Sequence, residues 1–82
     1  MVILDVRTKE EYDNGHIEGA KLFDIIDMMQ GSFPDVKKDE VITVYCQTGN
    51  RSAMAKGLLE KAGFTNVADG GGINDMAKNI VR

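Results

Sequence analysis

Short apolar segments alternate with helix-forming segments along this chain, and that alternation limits its possible folds more than any other feature. Residues 2–6 and 41–45 are apolar runs rich in β-branched residues, which is typical of strands buried on both faces of a sheet. Each run is followed by a segment with signals for a helix start. The alternation predicts an α/β fold, with a small parallel sheet flanked by helices on both faces.

The boundaries of the other elements follow from capping and turn residues. Thr8 and Glu11 have the spacing of a capping box, so a short helix is predicted to begin there and to end near Gly15. Residues 16–22 are expected to form a turn that leads into a short strand, and residues 66–68 a last strand. Further helices are predicted from Asp24 to near Gly31, from Ser52 to Ala62, and over a terminal segment that contains Ile73, Met76 and Ile80.

The polar residues near the first strand have structural explanations. Asp5 and Arg7 flank the end of this strand and are expected to form an internal ion pair or to brace nearby loops. His16 is expected to fix a turn through a hydrogen bond between its ring and the backbone. Glu10 and Glu11 fall in the first turn of a predicted helix, where negative charge is favourable.

Several residues of the predicted helices are assigned to packing. Met28, Met29, Met54 and Met76 occur at helical spacing and are predicted to fill the core, with an exposed docking patch at Met28 and Met29 as the alternative. Gly57 lies inside a predicted helix, where glycine costs about 1 kcal/mol relative to alanine. Close packing of that helix on the sheet is the expected reason for this glycine.

Composition excludes several classes of function. One cysteine and one histidine in 82 residues provide neither a disulfide framework nor a multi-cysteine zinc site, so no metal and no cofactor is expected. The net charge is −3 and no basic cluster exceeds Lys37-Lys38, which argues against binding to nucleic acid or to an anionic membrane surface. No apolar run approaches the ~20 residues of a membrane span.

The length of 82 residues predicts a single domain, residues 1–82, in which every element shares one core. We expect a monomer. The N-terminus has no signal-peptide pattern, which favours the cytoplasm for the chain as given. The periplasm is the alternative, if a signal peptide has been removed from a longer precursor.

Cys46 is the candidate for chemistry because it stands between the strand at 41–45 and the helix predicted from Ser52. Ligands of open α/β sheets bind beyond the carboxyl ends of the strands. The positive end of a helix, the N–H groups of a tight glycine-containing loop and the charge of Arg51 would all favour a thiolate. The same inward-facing donors would hold an anionic substrate.

Two other interpretations of Cys46 are weighed against this one. A free cysteine is often a small buried hydrophobe, but a structural cysteine does not require a polar loop that runs into a helix. Cysteine-dependent phosphatases use Cys-x5-Arg-Ser/Thr, whereas the spacing here is Cys-x4-Arg-Ser. A smaller ring of amides suits a smaller target, such as one extra sulfur on Cys46, and no aspartate is an obvious general acid. The phosphatase interpretation is therefore disfavoured.

Three separated segments resemble the rhodanese (thiosulfate sulfurtransferase) family, and above all its short single-domain members of the phage-shock type. The resemblance covers nearly the whole chain. Its segments are Leu4-Asp5-Val6-Arg7 with Glu11-Tyr12 and Gly15-His16-Ile17-Glu18-Gly19-Ala20, then Val44-Tyr45-Cys46-Gln47-Thr48-Gly49-Asn50-Arg51-Ser52, and then Ala62-Gly63-Phe64-Thr65-Asn66-Val67 with Gly70-Gly71-Gly72.

The resemblance implies a two-step sulfur transfer. A Cys46 thiolate would take the outer sulfur of a small anionic donor such as thiosulfate, and the resulting persulfide would pass that sulfur to cyanide or a thiol. Amides of the loop would stabilise the persulfide, and Arg51 would bind the donor anion. The implied site consists of Cys46 as the catalytic residue and Gln47, Thr48, Gly49, Asn50, Arg51 and Ser52 as substrate-binding residues.

Two further functions stay open from the sequence alone. One is a domain of the same fold that carries sulfur or binds a protein partner without turning over thiosulfate. Inactive members of the family commonly lack the loop cysteine, which this chain keeps. The other is an arsenate reductase or phosphatase of related fold, which the short loop disfavours.

Overall fold

The computed structural model describes residues 1–76 and 78–82, and its elements alternate as the sequence predicts. In chain order they are β1 (Val2–Asp5), α1 (Lys9–Asp13), β2 (His16–Ile17), β3 (Lys21–Leu22), α2 (Ile25–Met29), β4 (Ile42–Cys46), α3 (Asn50–Lys61), β5 (Val67–Gly72), a 3-10 helix (Ile73–Asp75) and β6 (Ile80–Val81).

Four of the strands form a parallel sheet in the order β3-β1-β4-β5. This confirms the predicted α/β class and parallel sheet. The central pair is β1 and β4, so the carboxyl ends of these two buried strands lie side by side. Strands β2 and β6 pair separately, as a short antiparallel ribbon.

The two faces of the sheet bury separate apolar clusters. The first cluster lies against α2 and α3 and contains Leu4, Val6, Ile25, Met28, Ile42, Val44, Cys46, Ala55, Leu59 and Phe64. The second involves β2 and the 3-10 helix and contains Ile3, Ile17, Ala20, Tyr45 and Ile73. Because side chains alternate along β4, Tyr45 and Cys46 enter opposite clusters.

The predicted helix around Ile73, Met76 and Ile80 is wrong. A single 3-10 turn ends at Asp75, and Ile80 pairs with Ile17 in the β2–β6 ribbon. The three glycines before this turn belong to β5, which is therefore longer than the predicted strand at 66–68. Their lack of side chains is required, because a Cβ at Gly72 would lie 2.6 Å from the carbonyl oxygen of Gln47.

Two packing assignments in the helices are also wrong. Met28 is buried as predicted, but the exposed fractions of Met29 and Met54 are 60% and 52%. Gly57 does not pack closely on the sheet, since no atom outside its own turn lies within 4 Å of the position of an added Cβ. Helix α3 also begins at Asn50 rather than at Ser52.

Substitution of Gly57 by alanine is expected to raise the free energy of unfolding by about 1 kcal/mol, because the new methyl group enters open space in a helix interior. Gly31 is a matched control: its surroundings are equally open, but its φ is +94°. Alanine there is expected to lower stability by about 1 kcal/mol. Urea denaturation measures both, and a destabilised Gly57→Ala variant would contradict the prediction.

Candidate functional site

Strand β1 ends in a buried ion pair beside the end of β4. The Asp5 carboxylate accepts hydrogen bonds from Arg7 Nε at 2.9 Å and Arg7 Nη2 at 2.7 Å, and the two residues are 0% and 3% exposed. The Tyr45 hydroxyl donates to the same carboxylate at 2.7 Å and accepts the Ile17 N–H at 2.9 Å. Of the two roles expected for Asp5 and Arg7, an internal ion pair or the bracing of nearby loops, the ion pair is present.

Arg7 connects this ion pair to the loop after Cys46. Its Nη1 donates to Oε1 of Gln47 at 2.9 Å, and its Nη2 also donates to the carbonyl of Gly15 at 2.7 Å. Hydrogen bonding to Asp5 is the main reason that the pKa of Arg7 is raised, so the guanidinium keeps its charge although it is buried. The first residue after the cysteine is thus held by the end of β1.

The predicted structural role of His16 agrees with its contacts. Its Nδ1 lies 2.9 Å from the carbonyl oxygen of Tyr12, and the two rings stack with centroids 3.7 Å apart. The Tyr12 hydroxyl in turn donates to the carbonyl of Ala20 at 2.7 Å. These contacts fix the segment between α1 and β3.

The sulfur of Cys46 lies inside the loop that leads into α3. Its Sγ accepts the backbone N–H groups of Gly49 at 3.0 Å and Ser52 at 3.3 Å. Gly49 is the N-cap of α3 and has a φ of 103°, a left-handed conformation that glycine adopts without strain. That conformation turns the loop so that its N–H groups converge on the sulfur.

The pKa of Cys46 is lowered from its ordinary value. Burial acts first and opposes ionisation, but hydrogen bonds from Ser52, Gly49 and Thr48 outweigh it. The Ser52 hydroxyl lies 3.0 Å from the carbonyl oxygen of Gly49 and 3.3 Å from that of Gly71. It has a single proton, so it bonds either to these oxygens or to the thiolate.

The predicted loop residues differ in what they contact. Gly49 and Ser52 donate their N–H groups to the sulfur. Gln47, Thr48 and Asn50 are exposed residues, although the backbone N–H of Thr48 also contributes to the lowered pKa of Cys46. Gln47 bonds to Arg7 through its side chain. The described part of the chain contains no group of three or more His, Cys, Asp or Glu residues placed to hold a metal ion.

Arg51 is engaged by Glu11 rather than free at the loop mouth. Its Nη1 and Nη2 donate to Oε1 and Oε2 of Glu11 at 2.7 and 2.8 Å. This bond is the main reason that the pKa of Arg51 is raised, while attraction to Cys46 contributes less. The amides therefore do more for the thiolate than the guanidinium does, whereas the sequence indicated only that both favour it.

A cleft of about 360 Å³ opens beside the loop, at the carboxyl end of the sheet. Its apolar side is formed by Ile73 and Ile80, and its polar side includes Gln47 and Glu11. Gln47 follows Cys46 directly, so this cleft adjoins the cysteine loop.

The family model of the rhodanese-like domain matches residues 1–78. The chain belongs to the rhodanese family. The thiosulfate sulfurtransferase PspE of Escherichia coli is 35% identical over 82 residues, which cover 96% of this chain and 77% of that protein. A solved structure of an E. coli rhodanese with anions is 32% identical, has a TM-score of 0.84, and is matched over 99% of this chain and 96% of its own.

Longer proteins contain similar domains. A probable molybdopterin-synthase adenylyltransferase of Porphyra purpurea is 35% identical over 81 residues, which cover 98% of this chain but only 21% of that protein. The chain thus resembles a single-domain enzyme over most of that enzyme's length, and a much longer protein over about a fifth of its length.

Two contacts at the site were not predicted from the sequence. Glu11 was assigned only to the start of α1, and its capping box with Thr8 is present. Its ion pair with Arg51 spans 40 positions of sequence, and no local pattern signals it. The close approach of Gly72 to the loop had a signal in the three consecutive glycines, which lie beyond the strand predicted at 66–68.

Among the described residues, no helix is long and apolar enough to cross a membrane.

Proposed function

We propose that this rhodanese-family chain is a sulfurtransferase that moves a sulfane sulfur from an anionic donor such as thiosulfate to cyanide or a thiol. The single observation that carries the proposal is the Cys46 sulfur, which accepts two backbone N–H groups at the start of α3. Because the pKa of Cys46 is lowered, this residue supplies the thiolate that attacks the donor.

Each step is a displacement at sulfur. The Cys46 thiolate attacks the outer sulfur of thiosulfate, a new S–S bond forms, and sulfite leaves with the electron pair of the broken bond. Cyanide then attacks the terminal sulfur of the persulfide and leaves as thiocyanate, which restores the thiolate. A thiolate acceptor leaves in the same way, as a persulfide. No oxidant or reductant is consumed.

The loop that stabilises the thiolate also suits the persulfide. The negative charge moves outward by one sulfur atom when the persulfide forms. N–H groups fixed by the backbone need no reorganisation to follow that charge, and such preorganised donors are the main source of electrostatic stabilisation in enzymes.

Intact-mass spectrometry tests this proposal directly. Incubation with thiosulfate is expected to add the mass of one sulfur atom, and subsequent cyanide is expected to remove it with release of thiocyanate. An unchanged mass over a wide range of thiosulfate concentration would overturn thiosulfate as the donor.

A sulfur carrier that is loaded by a protein partner is the second candidate. Its support is the similarity to one-fifth of a longer adenylyltransferase. A carrier would accept sulfur from a protein persulfide but would give no steady turnover of thiosulfate and cyanide. A multiple-turnover assay with these two small molecules therefore separates the two functions.

A further inference from the structure

The ion pair between Glu11 and Arg51 joins the first turns of two helices at the mouth of the cysteine loop. Both carboxylate oxygens and both terminal nitrogens take part, which is the bidentate geometry of strong arginine–carboxylate pairs. The side chains of Glu11 and Arg51 are 30% and 36% exposed, so incoming solutes can reach them.

Glu11 is held in place from a second side. Its Oε1 accepts the Thr8 N–H at 3.2 Å in the capping box of α1. Hydrogen bonding to Arg51 is the first cause that lowers the pKa of Glu11, to about 2, although burial opposes the change. The carboxylate therefore stays charged near neutral pH.

Among the other charged groups near the mouth, Arg82 lines the cleft on the side of Glu11, whereas the charges of Arg7 and Asp24 add no free positive charge beside Arg51. Arg7, the second guanidinium beside the loop, is buried and bonded to Asp5. Asp24, the N-cap of α2, is close enough to raise the pKa of Arg51 slightly by charge attraction. An anion that approaches Arg51 thus meets a guanidinium whose charge is already offset by carboxylates.

We propose that Glu11 is a specificity-determining residue, which disfavours doubly charged donors at Cys46 relative to singly charged ones. This inference rests on the proposed sulfur transfer. It predicts that Glu11 slows the loading of Cys46 by the thiosulfate dianion more than the loading by a monoanion, such as an alkyl thiosulfonate or a persulfide. With a thiosulfonate, the Cys46 thiolate takes the terminal sulfur and a sulfinate leaves with the electron pair.

Thiosulfate and methanethiosulfonate are matched probes for this inference. A methyl group replaces one oxygen, so the two anions are similar in shape and differ by one charge. Glu11→Gln removes the carboxylate charge, and glutamine retains the capping-box contact with the start of α1. Glu10→Gln is the control, because Glu10 is exposed in the same helical turn and does not bond to Arg51.

The rate constant for loading Cys46 is measured by intact mass with each donor. Coulomb attraction to an exposed guanidinium, screened by salt, changes the loading rate constant by about threefold per unit of donor charge. Glu11→Gln is therefore expected to raise loading about tenfold with thiosulfate and about threefold with methanethiosulfonate. Glu10→Gln is expected to change the loading rate constant with either donor by less than about 1.5-fold. The assignment would be overturned if Glu11→Gln changed the loading rate constant by the same factor with both donors, or if it slowed the loading of Cys46 by thiosulfate.

Alkylation of Cys46 provides a readout that does not depend on sulfur transfer. The ratio of the rates with iodoacetate, which is an anion, and iodoacetamide, which is neutral, is expected to rise about threefold in Glu11→Gln. A raised ratio without loading by either donor would leave the charge effect intact but refute the proposed function. An unchanged ratio would refute the role of Glu11, whether or not the chain transfers sulfur.

Discussion

Replacement of Cys46 by serine is expected to abolish sulfur loading while leaving the fold intact. The serine oxygen can accept the same N–H groups of Gly49 and Ser52, so the free energy of unfolding should change by no more than about 1 kcal/mol. A serine hydroxyl is not ionised near neutral pH and forms no S–S bond with the donor. Loading by thiosulfate should therefore fall by a factor on the order of 10⁵ or more, below detection by intact mass.

Loss of loading alone would locate the sulfur without showing that the loop activates it, because Cys46 is the one cysteine of the chain. Ser52→Ala keeps the cysteine and removes the hydroxyl that can bond to the thiolate. The pKa of Cys46 is then expected to rise, so the pH midpoint of alkylation by iodoacetamide moves upward. At a pH below both midpoints, loading slows by the loss of thiolate fraction.

Two outcomes would contradict this account of Cys46. Persistent loading of Cys46→Ser would place the sulfur on another group. An alkylation midpoint that is the same in wild type, in Ser52→Ala and in the protein unfolded by urea would show that the loop does not lower the pKa of the thiol.

The sequence predicted the elements whose signals are local. The β-branched runs gave β1 and β4, and the capping box of Thr8 and Glu11 placed the start of α1. The strand–loop–helix order around Cys46 was predicted from the same kind of signal, because the residues that turn the loop adjoin the cysteine. Local capping and turn preferences act over only a few residues, so they are visible in a single sequence.

Contacts between distant segments were not predictable in this way. Glu11 and Arg51 have local explanations, a capping box and a helix start, and neither indicates that the two side chains meet. The end of the chain failed for a related reason. The spacing of Ile73 and Ile80 is typical of one apolar face of a helix, but Ile80 instead pairs with Ile17 in the β2–β6 ribbon. Tertiary pairing therefore overrides a weak helical pattern.

Loss of the buried ion pair between Asp5 and Arg7 is expected to lower the free energy of unfolding strongly. Tyr45 stays protonated, because burial above all raises its pKa, and its hydroxyl can therefore donate to Asp5. Arg7 also bonds to Gly15 and Gln47. Removal of the guanidinium would leave a buried carboxylate with the Tyr45 hydroxyl and the Arg7 N–H as its remaining donors.

Arg7→Met is accordingly expected to lower the free energy of unfolding by about 3–5 kcal/mol, the usual cost of leaving one buried charge unpaired. Lys9→Met is the matched control: the Lys9–Asp13 pair is 78% and 55% exposed, and its loss should cost about 0.5 kcal/mol or less. Asp5→Leu combined with Arg7→Met removes both charges and should be less destabilised than the sum of the single variants, by about 1–3 kcal/mol. Urea denaturation of wild type, Asp5→Leu, Arg7→Met and the double variant measures this coupling. Additive losses, or a loss below about 1 kcal/mol in Arg7→Met, would mean that the buried pair does not hold β1 to the cysteine loop.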